Sequence, residues 1–124
     1  MKKLRHLLPL ALLASLAFTS SAWAHAHLKS AAPADQAVVA AAAAPTDLTL
    51  VFTEGLNLNF SGLKLLGPDQ QEIKLGQAML MDQGKSLMVP VPSHLGAGKY
   101  TVQWHVLSVD GHKTEGSYHF TVAP

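Results

Sequence analysis

The chain has 124 residues, with nine Lys and Arg, eight Asp and Glu, seven His and no cysteine. Without cysteine there is no disulfide and no thiolate metal or redox chemistry, and the length suits one small domain. Three of the cations, Lys2, Lys3 and Arg5, sit at the extreme N-terminus. Beyond residue 24, six lysines face eight acids, a net charge of −2 with neutral histidines, which excludes a basic nucleic-acid footprint.

The N-terminal cations lead into an apolar run, Leu7 to Phe18, shorter than the roughly 20 residues of a bilayer span. A polar stretch then closes on Ala22-Trp23-Ala24, the small-x-small pattern cut by signal peptidase. Residues 1–24 are therefore expected to be a cleaved secretory signal peptide, and residues 25–124 a periplasmic domain. Cleavage there makes His25 the new N-terminus, followed by Ala26 and His27. A terminal histidine offers a metal two nitrogens at once, its free α-amine and its ring.

The rest of the chain reads as short strands. Asp47–Glu54 alternates Leu48, Leu50 and Phe52 with Thr49, Val51 and Thr53, the period of a half-buried strand. Ahead of it, Ala40–Ala44 is stopped by Pro45 and is too short to nucleate a helix alone, so it is expected to form a packed turn or one helical turn. Leu63–Leu66 ends at the turn Gly67-Pro68-Asp69, and Glu72–Leu75 and Leu87–Val91 follow. Pro90 inside the last of these predicts an edge strand, because proline cannot donate to a ladder. Tyr100–Ser108 puts Tyr100, Val102, Trp104 and Val106 on one face, and Ser117–Val122 does the same with Tyr118, Phe120 and Val122. These two are expected to pair, which puts the intervening Asp110-Gly111-His112 at one end of the molecule. The pattern predicts an all-β fold, a small immunoglobulin-like Greek-key β-sandwich of about seven strands.

Asp110 and His112 add a carboxylate and an imidazole, and side chains two apart on an extended chain share a face. An Asp-Gly step alone is a common turn; its combination with a terminal histidine is what points to a metal. With His25 the pair makes a nitrogen-rich, oxygen-capped set suited to the tetragonal preference of Cu(II). The expected metal ligands are His25, Asp110 and His112, holding one Cu(II) per chain. His27 is open to ligation or to an orienting role, and Glu54 is read as a surface acid, with an orienting role behind the ligands as its alternative. His105 and His119, on polar strand faces, are expected to be solvated and are candidates for cross-strand neighbours; His94 sits in a loop. Met79, Met81 and Met88 are read as core filling rather than as a Cu(I) site.

Several stretches resemble the CopC copper-resistance family, most closely its short YobA-like branch. They are His25 to Leu28, Leu50 to Gly55, Gly98 to Trp104, and the tail Val106 to Val122 with its Ser-Val-Asp-Gly-His core. The resemblance implies a periplasmic β-sandwich that binds one Cu(II) through the residues that are His25, Asp110 and His112 here. It also implies a CopD-type inner-membrane partner. Leu66–Leu75, the counterpart of a methionine-rich Cu(I) loop in some members, has no methionine, so that site is not carried over. The favoured function is a non-enzymatic copper buffer or carrier. A histidine-brace copper monooxygenase and a metal-free structural module are the alternatives.

Overall fold

The computed structural model describes residues 26–124. The expected signal peptide and His25 lie outside the described residues. Nine strands follow in order: β1 (Leu28–Ala32), β2 (Val38–Val39), β3 (Asp47–Phe52), β4 (Gly62–Leu66), β5 (Glu72–Ile73), β6 (Met79–Met81), β7 (Ser86–Pro90), β8 (Gly98–Leu107) and β9 (Lys113–Val122). They form two sheets, β1-β3-β7-β6 and β2-β9-β8-β4-β5. This is the expected all-β sandwich, and the strands beyond about seven are pairs or triplets of residues at the sheet edges.

Alternation in the sequence becomes burial in the structure. Leu48, Leu50 and Phe52 point inward from β3, and Leu87 and Val89 from β7. Tyr100, Val102 and Val106 of β8 meet them from the opposite sheet, with Tyr118, Phe120 and Val122 of β9. Tyr100 and Phe120 stack across the β8–β9 ladder with ring centroids 5.4 Å apart. Phe52 bridges the two sheets by meeting Trp104 edge-on at 5.2 Å. Ala41–Ala43 forms the single short helical turn expected of the alanine run.

β8 and β9 pair along their full ten residues, from Gly98↔Val122 to Leu107↔Lys113. Opposite Trp104 the ladder carries Gly116, and the indole lies across it. A Cβ on Gly116 would sit 2.5 Å from Trp104 Cζ2. Glycine is required here by close approach rather than by backbone conformation.

Three expectations need correction. β7 is an inner strand, not an edge: it lies between β3 and β6. Proline is tolerated because β6 pairs only with Ser86–Met88, so its ladder has ended before Pro90. The Pro90 carbonyl on that side accepts from Gly76 N–H at 2.8 Å, while the next residue, Val91, donates to Thr46 on the β3 side. The nitrogen that cannot donate thus faces the side without a ladder.

His105 and His119 are not cross-strand neighbours. Register places His105 opposite Glu115 and His119 opposite Thr101, and His119 Nδ1 lies 3.0 Å from Thr101 Oγ1. The two face-sharing histidines are four residues apart along the ladder, about 13 Å. Nor are all the methionines core filling: Met79 and Met81 are 44 % and 46 % exposed. Both fall on the outward side of β6, where the period of two puts every residue that flanks an inward Leu80.

Gly116→Ala is expected to destabilise the domain by about 1–3 kcal/mol, the usual cost of forcing extra volume against a packed ring. Gly96→Ala, where nothing lies within 4 Å of the added carbon, is expected to leave stability nearly unchanged. Urea unfolding midpoints of the two variants against the parent check this.

Candidate metal centre

The end of the sandwich where β8 turns into β9 is built from two chain segments, 108–112 and 26–27, laid against the end of β3. Ser108 closes β8 with a bridge to Leu56, and its N–H donates to the His112 carbonyl at 2.9 Å. Gly111 N–H donates back to Ser108 O at 2.9 Å, and Gly111 adopts φ +94°, a conformation open to glycine at little cost. Val109 N–H donates to Gly55 O at 2.9 Å, tying the turn to the chain beyond β3.

This turn brings Asp110 and His112 together, with His112 Nδ1 3.1 Å from Asp110 Oδ1. The expectation that an extended chain would put both on one side is replaced by a tight turn. Convergence comes from the left-handed glycine between them. Asp110 Oδ1 also accepts from the Ser108 hydroxyl and from His112 N–H at 3.2 Å. These bonds hold the Asp110 carboxyl below its ordinary pKa: the Ser108 hydroxyl lowers it most, desolvation opposes this, and the hydrogen bonds and charge of His112 lower it further. Asp110 therefore stays an anion well into the acid range. With a proton on His112 Nδ1, the lone pair of the ring is on Nε2. Asp110 Oδ2 takes no part in the bonds to Ser108 and His112. His112 and Asp110 are 46 % and 42 % exposed, so the pair meets solvent at the rim.

The second segment is pinned from both sheets. The Ala26 carbonyl accepts from Thr114 Oγ1 at 2.9 Å, and Thr114 follows His112 by two residues. Ala26 itself is fully buried. His27 N–H donates to Thr53 Oγ1 at 3.0 Å, and Thr53 N–H donates back to His27 O at 3.0 Å. The His27 side chain is exposed and makes further interactions.

Of the residues singled out by sequence, Asp110 and His112 come together, and His25 lies outside the described residues. Among the described residues no group of three or more His, Asp or Glu gathers around a common point, so this pair alone does not complete a cation site. His94 is exposed in the loop before β8, one ten-residue strand, about 33 Å, from the β8–β9 turn. Glu54 is half-buried past the end of β3. Two contributors were missed in the sequence, Ser108 and Thr114. The Ser-x-Asp spacing is a local signal for the first, since short hydroxyl side chains cap turns. The partner of Thr114 is 88 residues away, and no local signal points to it.

Ser108→Ala is expected to move the Asp110 carboxyl up toward its ordinary pKa, because its largest stabilising bond is lost. Carbon-detected NMR titration of the Asp110 side chain in the two proteins checks this.

The profile of the CopC domain family matches residues 28–123. Protein YobA of Escherichia coli (strain K12) is 49 % identical over 114 residues, covering 91 % of this chain and 90 % of that protein. Copper resistance protein C of Xanthomonas campestris pv. juglandis is 37 % identical over 115 residues, covering 88 % and 87 %. The crystal structure of CopC from Methylosinus trichosporium OB3b superimposes with a TM-score of 0.73 at 34 % identity, covering 81 % of this chain and 95 % of that one.

Proposed function

The chain belongs to the CopC family, and on that premise we propose that residues 25–124 form a periplasmic Cu(II) carrier with a site built on a processed N-terminus. Removal of residues 1–24 frees the His25 α-amine, and that amine with the His25 ring, His112 and Asp110 holds one Cu(II). The observation that carries this reading is the bond from Thr114 to the Ala26 carbonyl. It leaves His25 a single Cα–Cα step, about 3.8 Å, from a residue anchored two positions beyond His112.

The donor chemistry fits copper. Three nitrogens and one carboxylate suit the tetragonal preference of Cu(II), which heads the divalent affinity order. The anionic Asp110 offsets one of its two charges and favours the divalent over the monovalent ion. That preference opposes redox cycling, which is why a binding protein is favoured over a histidine-brace oxygenase. Chelation by amine and ring of one residue costs little added freedom. The exposed position of Asp110 and His112 leaves a route for direct exchange with a partner, and a separate CopD-type inner-membrane protein is the proposed one. Among the described residues no helix is long and apolar enough to cross a membrane, so that partner would supply the membrane part.

The deciding experiment is a Cu(II) titration with electron paramagnetic resonance on protein that begins at His25. One tight equivalent with a tetragonal, nitrogen-rich spectrum is expected. Protein with a single additional residue before His25 is expected to bind at least about a hundredfold more weakly, because an amide replaces the amine as ligand. Equal affinity in the two would overturn the site.

Asp110→Ala and His112→Ala are each expected to lower Cu(II) affinity by about 10–100-fold, while His119→Ala, engaged with Thr101, leaves it unchanged. Competition titration with a chromophoric chelator measures all three. Acidification is expected to release copper. The amine and the imidazoles bind only when deprotonated, so protons compete with copper for them, whereas the Asp110 carboxyl is held below its ordinary pKa. Apparent affinity at pH 5 is expected to be at least about tenfold below that at pH 7.5.

A further inference from the structure

The outward face of the five-stranded sheet opens into a cleft of about 620 Å³ at the end nearest the candidate metal centre, a size that suits a small molecule. Register builds its floor. His105 of β8 stands directly opposite Glu115 of β9. The His105 ring leans toward β4, where a Cβ added to Gly62 would lie 3.1 Å from its Cε1. Lys113 and Glu115 are two residues apart on β9, so their side chains leave the same face about 6–7 Å from each other. Asn59 and Phe60, from the short turn Leu58–Phe60, line the cleft beside them.

That wall is held in place. Ser61 Oγ donates to Asn57 O at 2.7 Å and accepts from Leu107 N–H at 3.1 Å, which staples the turn to β8. Phe60 is nonetheless 60 % exposed, so core packing does not account for it. The charges of the cleft are unspent as well. Among the described residues neither Lys113 nor Glu115 forms an ion pair or a side-chain hydrogen bond, although one strand face carries both. One ammonium, one carboxylate and one open ring thus line a single cleft. An anion alone would be repelled by Glu115, and a cation alone by Lys113. A zwitterion meets both.

We propose that this cleft binds a free α-amino acid with an apolar or aromatic side chain. Lys113 holds its carboxylate, Glu115 holds its ammonium, and its side chain lies against the Phe60 ring. Hydrogen bonds between charged partners are the stronger class, and an aromatic ring adds a preference for an offset or edge-on neighbour. Asn59 and His105 add neutral hydrogen-bonding groups at the border. The cleft shares no ligand with the His25, Asp110 and His112 set, and its occupancy requires no metal. The two sites adjoin: Lys113 follows His112, and Thr114, which also lines the cleft, holds the Ala26 carbonyl.

The test is an amide NMR titration of metal-free protein beginning at His25 with L-phenylalanine. Saturable shifts at Phe60, His105, Lys113 and Glu115 are expected, with a Kd of about 1 mM or tighter, the scale open to a ligand of this size. Phenethylamine, which lacks the carboxylate, and 3-phenylpropionate, which lacks the ammonium, are each expected to bind at least about tenfold more weakly. Lys113→Gln is expected to lower affinity for L-phenylalanine by a similar factor and to abolish its advantage over phenethylamine. Glu115→Gln is expected to abolish its advantage over 3-phenylpropionate. Phe60→Ala weakens all three compounds alike. These positions are exposed, and an unaltered unfolding midpoint verifies the fold. Equal binding of the three compounds, shifts that do not saturate, or affinity unchanged in both glutamine variants would overturn the proposal. Cu(II) binding by the same protein is titrated separately, so failure here and failure of the copper site are distinguishable.

Discussion

The ten-residue pairing of β8 with β9 is the constraint on which the rest of the molecule depends. Its register puts Phe120 on Tyr100 and Gly116 beneath Trp104, and so sets both the aromatic packing and the place where the indole crosses the ladder. The same register ends at Leu107↔Lys113, which fixes where the Ser108–His112 turn begins. A slip by one residue would exchange the two faces of β9. It would turn Phe120 and Tyr118 to solvent and carry Thr114 away from Ala26. Core and candidate site are thus two readings of one hydrogen-bond register.

Around that hairpin the site end is assembled from side chains of modest size. Ser108 is buried and spends its hydroxyl on Asp110, which keeps a carboxylate ionised at an exposed turn. Thr53 and Thr114 hold the incoming N-terminal segment from opposite sheets. None of these three is a metal ligand in our reading. Each removes freedom from one that is, and a preorganised site loses less entropy when a cation arrives. The partial exposure of Asp110 and His112 works in the other direction, since a fully enclosed copper ion would have no path to a partner. In the proposed site the backbone anchors favour retention of the ion and the open rim favours its exchange.

Much of this was legible in the residues themselves. Strict alternation in Asp47–Phe52 and Tyr100–Leu107 announced strands and named their inward faces, because burial follows the pleat. Asp110 and His112 stand out in the sequence for their chemistry and spacing, and the structure joins them by a turn around Gly111, not an extended chain. Pro90 was misplaced to an edge because a proline reports only its own missing donor. Whether a neighbouring strand has already ended is a property of β6, not of Pro90. The methionines were misassigned for a related reason. Three apolar residues within ten positions look like core until the ladder shows which side of the sheet they occupy.

What the sequence by itself determined was therefore local and periodic: strand faces, turns, and the donor types present in each segment. Those properties depend on dihedral preference, side-chain period and ligand chemistry, all carried by adjacent residues. Only the tertiary structure decided the pairings over long separations: Thr114 with Ala26, His105 with Glu115 rather than His119, and Met79 with Met88 on an open face. Such pairings depend on the order of strands in a sheet and on the register between them. These are set by the packing of the two sheets over one core, and no short segment of the chain encodes that packing alone.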